Sequence, residues 1–271
     1  MRLMELISNY NQIKDSIIKV KAYREGFVTN FFLSEEKCEL LIKNKILYIV
    51  GFDKVFFLLH KDSCFYHLYY ISPSLDSLDA SLIQFIKNFN DLVLVVDIIG
   101  NDQSIEKIVS VFNSYNFLIY SKLNRMSRIV DPDSYIDDKR VTYATTEQGK
   151  EISLLLEKYF DRYCEQIPMI EEINTWIEEN RILVIQDKDK IIGFVIFEIN
   201  GVTSYLRYWF THPDFREKKV GSSLLRRFFF ESRHTKRQLF WVIESNENAI
   251  IRYKHYGFLP EKMFDIVLKK N

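Results

Sequence analysis

Residues 246–258 have the sequence NENAIIRYKHYGF, and this stretch constrains the fold more than any other. Asn246, Ala249 and Tyr253 are spaced by three and then four residues, so they share one face wherever the segment is helical. Gly257 stands where a left-handed residue commonly ends a helix, and the phenylalanine after it can pack back on the last turn. By itself the pattern predicts an amphipathic helix with a tyrosine on its buried side.

A second segment, residues 211–225, has the sequence THPDFREKKVGSSLL. Its proline ends a strand, a short basic loop follows, and a helix begins near Gly221. Such a loop directs several backbone N–H groups and a helix N-terminus at one point, which suits an anion such as a pyrophosphate. Arg216, Lys218 and Lys219 add local positive charge. Taken alone, the same pattern is also typical of a solvated basic turn.

Together the two segments resemble the GNAT N-acetyltransferase superfamily, over about residues 140–271. Its acyl-CoA loop has the form Arg/Gln-x-x-Gly-x-Gly/Ala, and its later helix reads Asn-x-x-Ala-x-x-x-Tyr-x-x-x-Gly-Phe. The helix motif matches at every position. The loop motif begins at Arg216 and ends at Gly221, but Lys219 takes the place of the first glycine. If that position needs a positive φ, a side chain there weakens cofactor binding, or its ammonium reaches a phosphate; both alternatives stay open.

The resemblance implies direct transfer of an acyl group from acetyl-CoA, or another acyl-CoA, to a primary amine. It assigns cofactor binding to Trp209, Phe210, Thr211, Arg216, Lys218, Lys219, Val220, Gly221, Ser222, Asn246, Ala249 and Tyr253. The Tyr253 phenol would protonate or hydrogen-bond the departing thiolate. The strand position of the family's usual glutamate base holds Arg207 or Tyr208. Glu244 is therefore the predicted base, with Glu198 behind it.

The chain also contains an internal repeat. A shift of 136 positions places Glu36 on Glu172 and Asp53 on Asp189. Each copy reads as a short helix, a hairpin, a strand, a helix, another strand, a helix and a closing strand, the last at 117–123 and 263–269. This order predicts a mixed α/β (α+β) fold of two tandem GNAT-like lobes, each a mostly antiparallel mixed sheet flanked by helices.

The acidic, proline-containing segment 130–139 reads as a linker, so we expect a domain over residues 1–138 and a GNAT acyltransferase domain over 139–271. The first copy lacks the basic loop and the tyrosine that the second copy has. Its loop at 72–79 is acidic and has no glycine, and Phe112 stands where the second copy has Tyr253. An acidic loop repels pyrophosphate and phenylalanine donates no proton, so the first lobe is predicted to be degenerate.

Charge and cysteine content limit the partners. Lys plus Arg and Asp plus Glu both number 37, so no net field attracts nucleic acid or an anionic membrane, and neither is an expected partner. The three cysteines are far apart, which favours a reducing cytoplasm, and the five histidines show no metal-ligand spacing, so no metal is expected. No secretory signal opens the sequence.

The acceptor is expected to be a small-molecule or peptide amine, and the protein a monomer or homodimer. Two alternatives stay open. A non-catalytic acyl-CoA-binding or scaffold protein is suggested by Lys219 and by the missing strand glutamate. A tandem GNAT relative that uses charged tRNA is disfavoured by the neutral charge and the absence of a basic stripe.

Overall fold

The computed structural model describes residues 4–131 and 138–271. The chain forms two compact units: the first runs up to Leu123 and includes Lys262–Asn271, and the second is Asn124–Glu261. These divisions differ from the predicted boundary at 138/139, because each of two long closing strands contributes residues to both units. Most of the predicted linker, residues 132–137, lies outside the described residues. No helix within the described residues is long and apolar enough to cross a bilayer.

The first unit contains its elements in the order that the repeat predicted, preceded by one further helix and two short strands. Its elements are β1 (Glu5–Leu6), α1 (Asn11–Ala22), β2 (Val28–Thr29), α2 (Glu35–Lys43), β3 (Leu47–Phe52), β4 (Val55–Asp62), β5 (Phe65–Ser72), α3 (Leu75–Asn88), β6 (Leu94–Gly100), α4 (Asp102–Asn113) and the beginning of β7 (Leu118–Ile129).

From the short helix before the hairpin onward, the second unit repeats the order of helices and strands of the first. Its elements are the end of β7, β8 (Thr142–Tyr143), α5 (Gly149–Tyr159), α6 (Arg162–Glu165), α7 (Ile170–Glu178), β9 (Ile182–Asp187), β10 (Lys190–Asn200), β11 (Thr203–Thr211), α8 (Val220–Glu231), β12 (Arg237–Ile243), α9 (Glu247–His255) and the beginning of β13 (Leu259–Lys270), whose later residues belong to the first unit.

Local sequence explains where several elements begin and turn. The Ser34 side chain accepts the Lys37 N–H and caps α2, which carries acidic residues in its first turn. In both hairpins an aspartate turns the chain with a positive φ, 50° at Asp53 and 59° at Asp189. Aspartate tolerates this conformation better than most residues, so the shared turn is encoded locally.

Each unit contains a mixed sheet of the predicted kind. In the first, the strand order is β1-β3-β4-β5-β6-β13, with β5 and β6 parallel and the other described pairs antiparallel. In the second, the order is β7-β12-β11-β10-β9-β8, and β11 and β12 form the parallel pair. The predicted fold class is confirmed: each sheet is mostly antiparallel and flanked by helices.

Candidate active site

A gap opens between the two parallel strands of the second unit. Within the described chain, β11 pairs with β12 only from Thr203–Tyr205 to Arg237–Leu239. Both strands continue, β11 to Thr211 and β12 to Ile243. Backbone N–H and C=O groups along the continuing strands are therefore available to a ligand that lies between them.

Two cavities meet at this gap. The larger has a volume of about 900 Å³ and extends toward the basic loop and α9, where Thr211, Arg216 and Arg252 line it. The smaller has a volume of about 100 Å³ and is lined by residues of the two separating strands. The residues common to both cavities are Phe160, Glu165, Trp209, Ile243, Asn246 and Tyr253. A ligand reaching this junction from the loop would meet a second ligand placed between the strands.

The loop before α8 has a left-handed residue at its end. Pro213–Lys218 forms a 3₁₀ turn, and Lys219, with φ 57° and ψ 22°, is the N-cap residue of α8. The position that has glycine in the family motif thus has a positive φ here. The helix also approaches β11 closely, since a Cβ on Gly221 would lie 3.0 Å from Thr211 Oγ1 and 3.1 Å from Trp209 Cζ2.

The predicted cofactor residues and the predicted base Glu244 fall into two groups. The larger cavity is lined by Trp209, Phe210, Thr211, Arg216, Asn246, Ala249 and Tyr253. The residues that do not line either cavity are Lys218, Lys219, Val220, Gly221, Ser222 and Glu244.

Side-chain contacts explain why members of the second group point elsewhere. The Lys218 ammonium lies 3.6 Å from the Asp187 carboxylate and 4.7 Å from the Phe215 ring centroid. Val220 is buried in the core, and the Ser222 hydroxyl accepts a hydrogen bond of 2.9 Å from Tyr256. Any part that these positions play in anion binding would therefore come from their backbone at the start of α8, not from their side chains.

Tyr253 stands at the junction of the two cavities. Its ring centroid lies 4.0 Å from that of Phe240 and 5.3 Å from that of Trp209, and these contacts fix the ring. Burial, followed by the nearby Glu165 carboxyl, raises the pKa of Tyr253 above its ordinary value, so the phenol keeps its proton at neutral pH. The indole N–H of Trp209 is buried and has no hydrogen-bond partner among the described residues.

The two glutamates predicted as bases lie away from the junction. Glu244 is exposed one residue beyond β12, and Glu198 is 38% exposed and 3.7 Å from the Arg207 guanidinium. Neither lines either cavity. Their predicted roles therefore receive no support from the shape of the site.

Sequence reasoning missed a carboxyl group that does line the junction. Glu165 ends α6, and its carboxylate accepts a 3.2 Å hydrogen bond from the Asp161 N–H. The Tyr208 hydroxyl donates to the Glu165 and Gln166 carbonyl oxygens, at 2.8 and 3.0 Å, and thereby fixes the end of this helix. Burial raises the pKa of Glu165 to about 7. A four-residue helix carries no periodic signal that could have revealed this residue.

The matching gap in the first unit is filled by the chain itself. Within the described residues β5 and β6 pair only over Tyr66–His67 and Leu94–Val95. Beyond them, the Asn30 amide donates to the Leu68 and Asp97 carbonyl oxygens, at 3.0 and 3.1 Å, and accepts the Tyr70 N–H at 2.8 Å. Asn30 thus satisfies the backbone groups that the second unit leaves open.

Comparison with known proteins finds a family match within the second unit. Residues 150–258 match the model of the Acetyltransferase (GNAT) family. Comparison with curated proteins finds no significant match.

Solved structures of GNAT proteins are similar over nearly the whole chain. A GCN5-related N-acetyltransferase from Sphaerobacter thermophilus is 12% identical, with a TM-score of 0.58 over 99% of this chain and 95% of that one. A GNAT-family acetyltransferase from Colwellia psychrerythraea is 11% identical, with a TM-score of 0.56 over 98% of each chain. One from Kribbella flavida is 12% identical, with a TM-score of 0.56 over 94% and 95%. At these identities the likeness concerns the fold, which extends over both units.

Proposed function

We propose that the second unit is an acyl-CoA-dependent N-acyltransferase that moves acetyl from acetyl-CoA to a primary amine. The observation that carries this proposal is the position of Tyr253, at the junction between a cavity that reaches the basic loop and a cavity between two separated strands. One cavity fits an extended cofactor and the other a small acceptor, with a proton donor between them.

The residues of the larger cavity fit an acyl-CoA. The N-terminus of α8 and the Arg216 and Arg252 guanidinium groups suit a diphosphate. Open backbone groups of β11 suit the amide-containing pantetheine arm, and the missing side chain of Gly221 leaves α8 close to Trp209. When bound, acyl-CoA supplies an activated acyl group, whose C–S bond breaks as the C–N bond to the amine forms.

Two side chains then transfer protons, one as a donor and one as an acceptor. Tyr253, which stays protonated at neutral pH because its pKa is raised, donates a hydrogen bond or its proton to the departing sulfur. Glu165 takes the proton that the acceptor ammonium must lose. A carboxyl with a pKa of about 7 is suited to this task because it is both substantially ionised and basic near neutral pH. Among the candidate bases, Glu165 has the support of the cavity lining, which Glu244 lacks.

The test is Tyr253→Phe, with Tyr256→Phe as the matched control. Both tyrosines belong to the same helical segment, but Tyr256 donates to Ser222 and does not line the cavities. Loss of a general acid lowers turnover by about 10²-fold or more. We expect Tyr253→Phe to lower kcat with little change in the Kd for acetyl-CoA from calorimetry, and Tyr256→Phe to keep most activity. Full turnover by Tyr253→Phe, or an absence of acetyl-CoA binding by the unaltered protein, would contradict the proposal.

A second candidate is a non-catalytic acyl-CoA-binding or scaffold protein. The observations that favour it are the left-handed Lys219 and the exposed position of Glu244. It predicts acetyl-CoA binding without thiol release in the presence of any of a broad panel of amines. Thiol release that depends on an added amine would rule it out.

The remaining parts of the proposal concern the protein's setting. The acceptor is a small-molecule or peptide amine, and neither nucleic acid nor a membrane is a partner. The protein works in the cytoplasm as a monomer or homodimer, with the first unit as a degenerate support. Phe112 is fully buried in that unit, and Asn30 occupies its strand gap, so we expect one acetyl-CoA per chain in a calorimetric titration.

A further inference from the structure

Arg207 is placed in the smaller cavity by an irregularity of β11. Ile196 on β10 is opposite Tyr208, whereas Phe197 is opposite Leu206, so Arg207 is the extra residue of a β-bulge. A bulge interrupts the regular alternation of side chains and can turn one of them toward a site. The bulge therefore explains how a charged residue in the middle of β11 lines the cavity between the strands.

The smaller cavity holds one group of each charge. Glu165 and Arg207 are its two charged lining residues, and consecutive residues of β11 and β12 form much of the rest of its wall. The aromatic residues in that wall are Phe160, Tyr208, Trp209, Phe240, Trp241 and Tyr253. Its volume of about 100 Å³ is well below the 300 Å³ or more of a typical site for a drug-sized ligand. It can therefore accommodate only the reacting end of an acceptor.

The Arg207 guanidinium is available to a ligand. Its ion pair with Glu198 is long, at 3.7 Å, and both side chains are well exposed, at 45% and 38%. Exposed pairs of this kind contribute little free energy, so a ligand carboxylate can compete with Glu198. Arginine binds carboxylates with two parallel N–H donors, and it does not lose its proton, so it anchors a ligand and does not act as a base.

We propose that the acceptor is a zwitterion of the amino-acid type, with its ammonium group at Glu165 and its carboxylate at Arg207. This inference rests on the proposed function and names the substrate class of the same site. The side chain of the amino acid extends out of the cavity, because the space between the strands holds only the α-amino and carboxylate groups.

The test compares amino acids with the amines that lack their carboxylate. The pairs are L-phenylalanine with 2-phenylethylamine and L-leucine with 3-methylbutylamine, and in L-phenylalaninamide a neutral amide replaces the carboxylate of the first acid. Thiol release from acetyl-CoA is measured with each compound. We expect kcat/KM to be about tenfold or more higher for the acids, the ratio produced by one carboxylate contact of about 1.4 kcal/mol. The amide should behave like the amine.

Arg207→Gln tests the anchor, and Arg226→Gln, at an exposed position of α8 outside the cavities, is its matched control. Arg207→Gln should raise KM for the acids until the acid-to-amine ratio of kcat/KM approaches one. Arg207→Lys should restore part of the preference. A merely structural role for Arg207 would lower activity with acids and amines equally, and circular dichroism spectra of each variant check the fold.

The possible outcomes separate this inference from the proposed function. Equal or greater activity with the amines than with the acids overturns the zwitterion inference and leaves the acyltransferase proposal standing. A preference for acids that survives Arg207→Gln overturns the assignment of Arg207. Acetyl-CoA binding without transfer to any acid or amine overturns both.

Discussion

Replacing Lys219 by glycine should stabilise the second unit. Lys219 has a φ of 57°, where the Cβ of an ordinary residue costs about 1–2 kcal/mol. Glycine removes that cost but adds about 0.5–1 kcal/mol of backbone entropy to the unfolded chain. The net gain in the free energy of unfolding is therefore about 0–1.5 kcal/mol, or a rise in Tm of up to about 6 °C for a unit of this size.

The assay is urea and thermal unfolding followed by tryptophan fluorescence. All three tryptophans, Trp176, Trp209 and Trp241, belong to the second unit, so the signal reports that unit. Lys218→Gly is the matched control, because the neighbouring lysine lies in the 3₁₀ turn and is not among the residues with a positive φ. It should be neutral or destabilising. If Lys219→Gly destabilised the unit as much as Lys218→Gly, the left-handed geometry of the loop would be refuted.

Two further predictions concern packing and pH. Gly193→Ala places a Cβ 2.6 Å from Val220 Cγ1 and 2.9 Å from the Phe210 carbonyl oxygen, so it should lower the unfolding free energy by about 1–3 kcal/mol in urea titration; unchanged stability would show that α8 can move away. Burial, followed by the nearby Asp97, raises the pKa of Asp265 well above its usual range, so the folded state keeps a proton that the unfolded chain loses above about pH 4. Stability contributed by this carboxyl therefore falls as the pH rises above 4. Asp265→Asn should remove that loss and raise the urea midpoint at pH 7 but not at pH 4, and an equal effect at both pH values would exclude titration as the cause.

Elements with a strong local signal were predicted well. The structure has the short helix of the first copy at Glu35–Lys43 and the strand after the second hairpin at Thr203–Thr211, in the predicted order. β-Branched and aromatic runs, an N-cap serine and acidic first turns act over a few residues, so these elements are encoded locally. The helix predicted from the Asn-x-x-Ala motif spans Glu247–His255. Asn246 caps it by accepting the Ala249 N–H at 3.3 Å.

Features that depend on distant contacts were not predictable. The closing strands, Leu118–Ile129 and Leu259–Lys270, are longer than expected. Their polar halves pair in a sheet, but the sequence of these halves lacks the alternation of apolar and polar residues that predicts a strand. Asn30 bonds to backbone atoms 38 and 67 residues away. Glu165 reaches the junction only because Tyr208 fixes the end of α6. No spacing in the sequence encodes these contacts.

The division of the last strand has a practical consequence. Lys262–Asn271 belongs to the first unit, although it follows the second unit in the chain, and residues 264–270 pair with β6. During synthesis, the first sheet therefore lacks one of its strands until β13 has been made and has left the ribosome. Expressing residues 1–138 and 139–271 as separate proteins would leave the edge of β6 unpaired in one fragment and an orphan strand in the other, and both would be prone to aggregation.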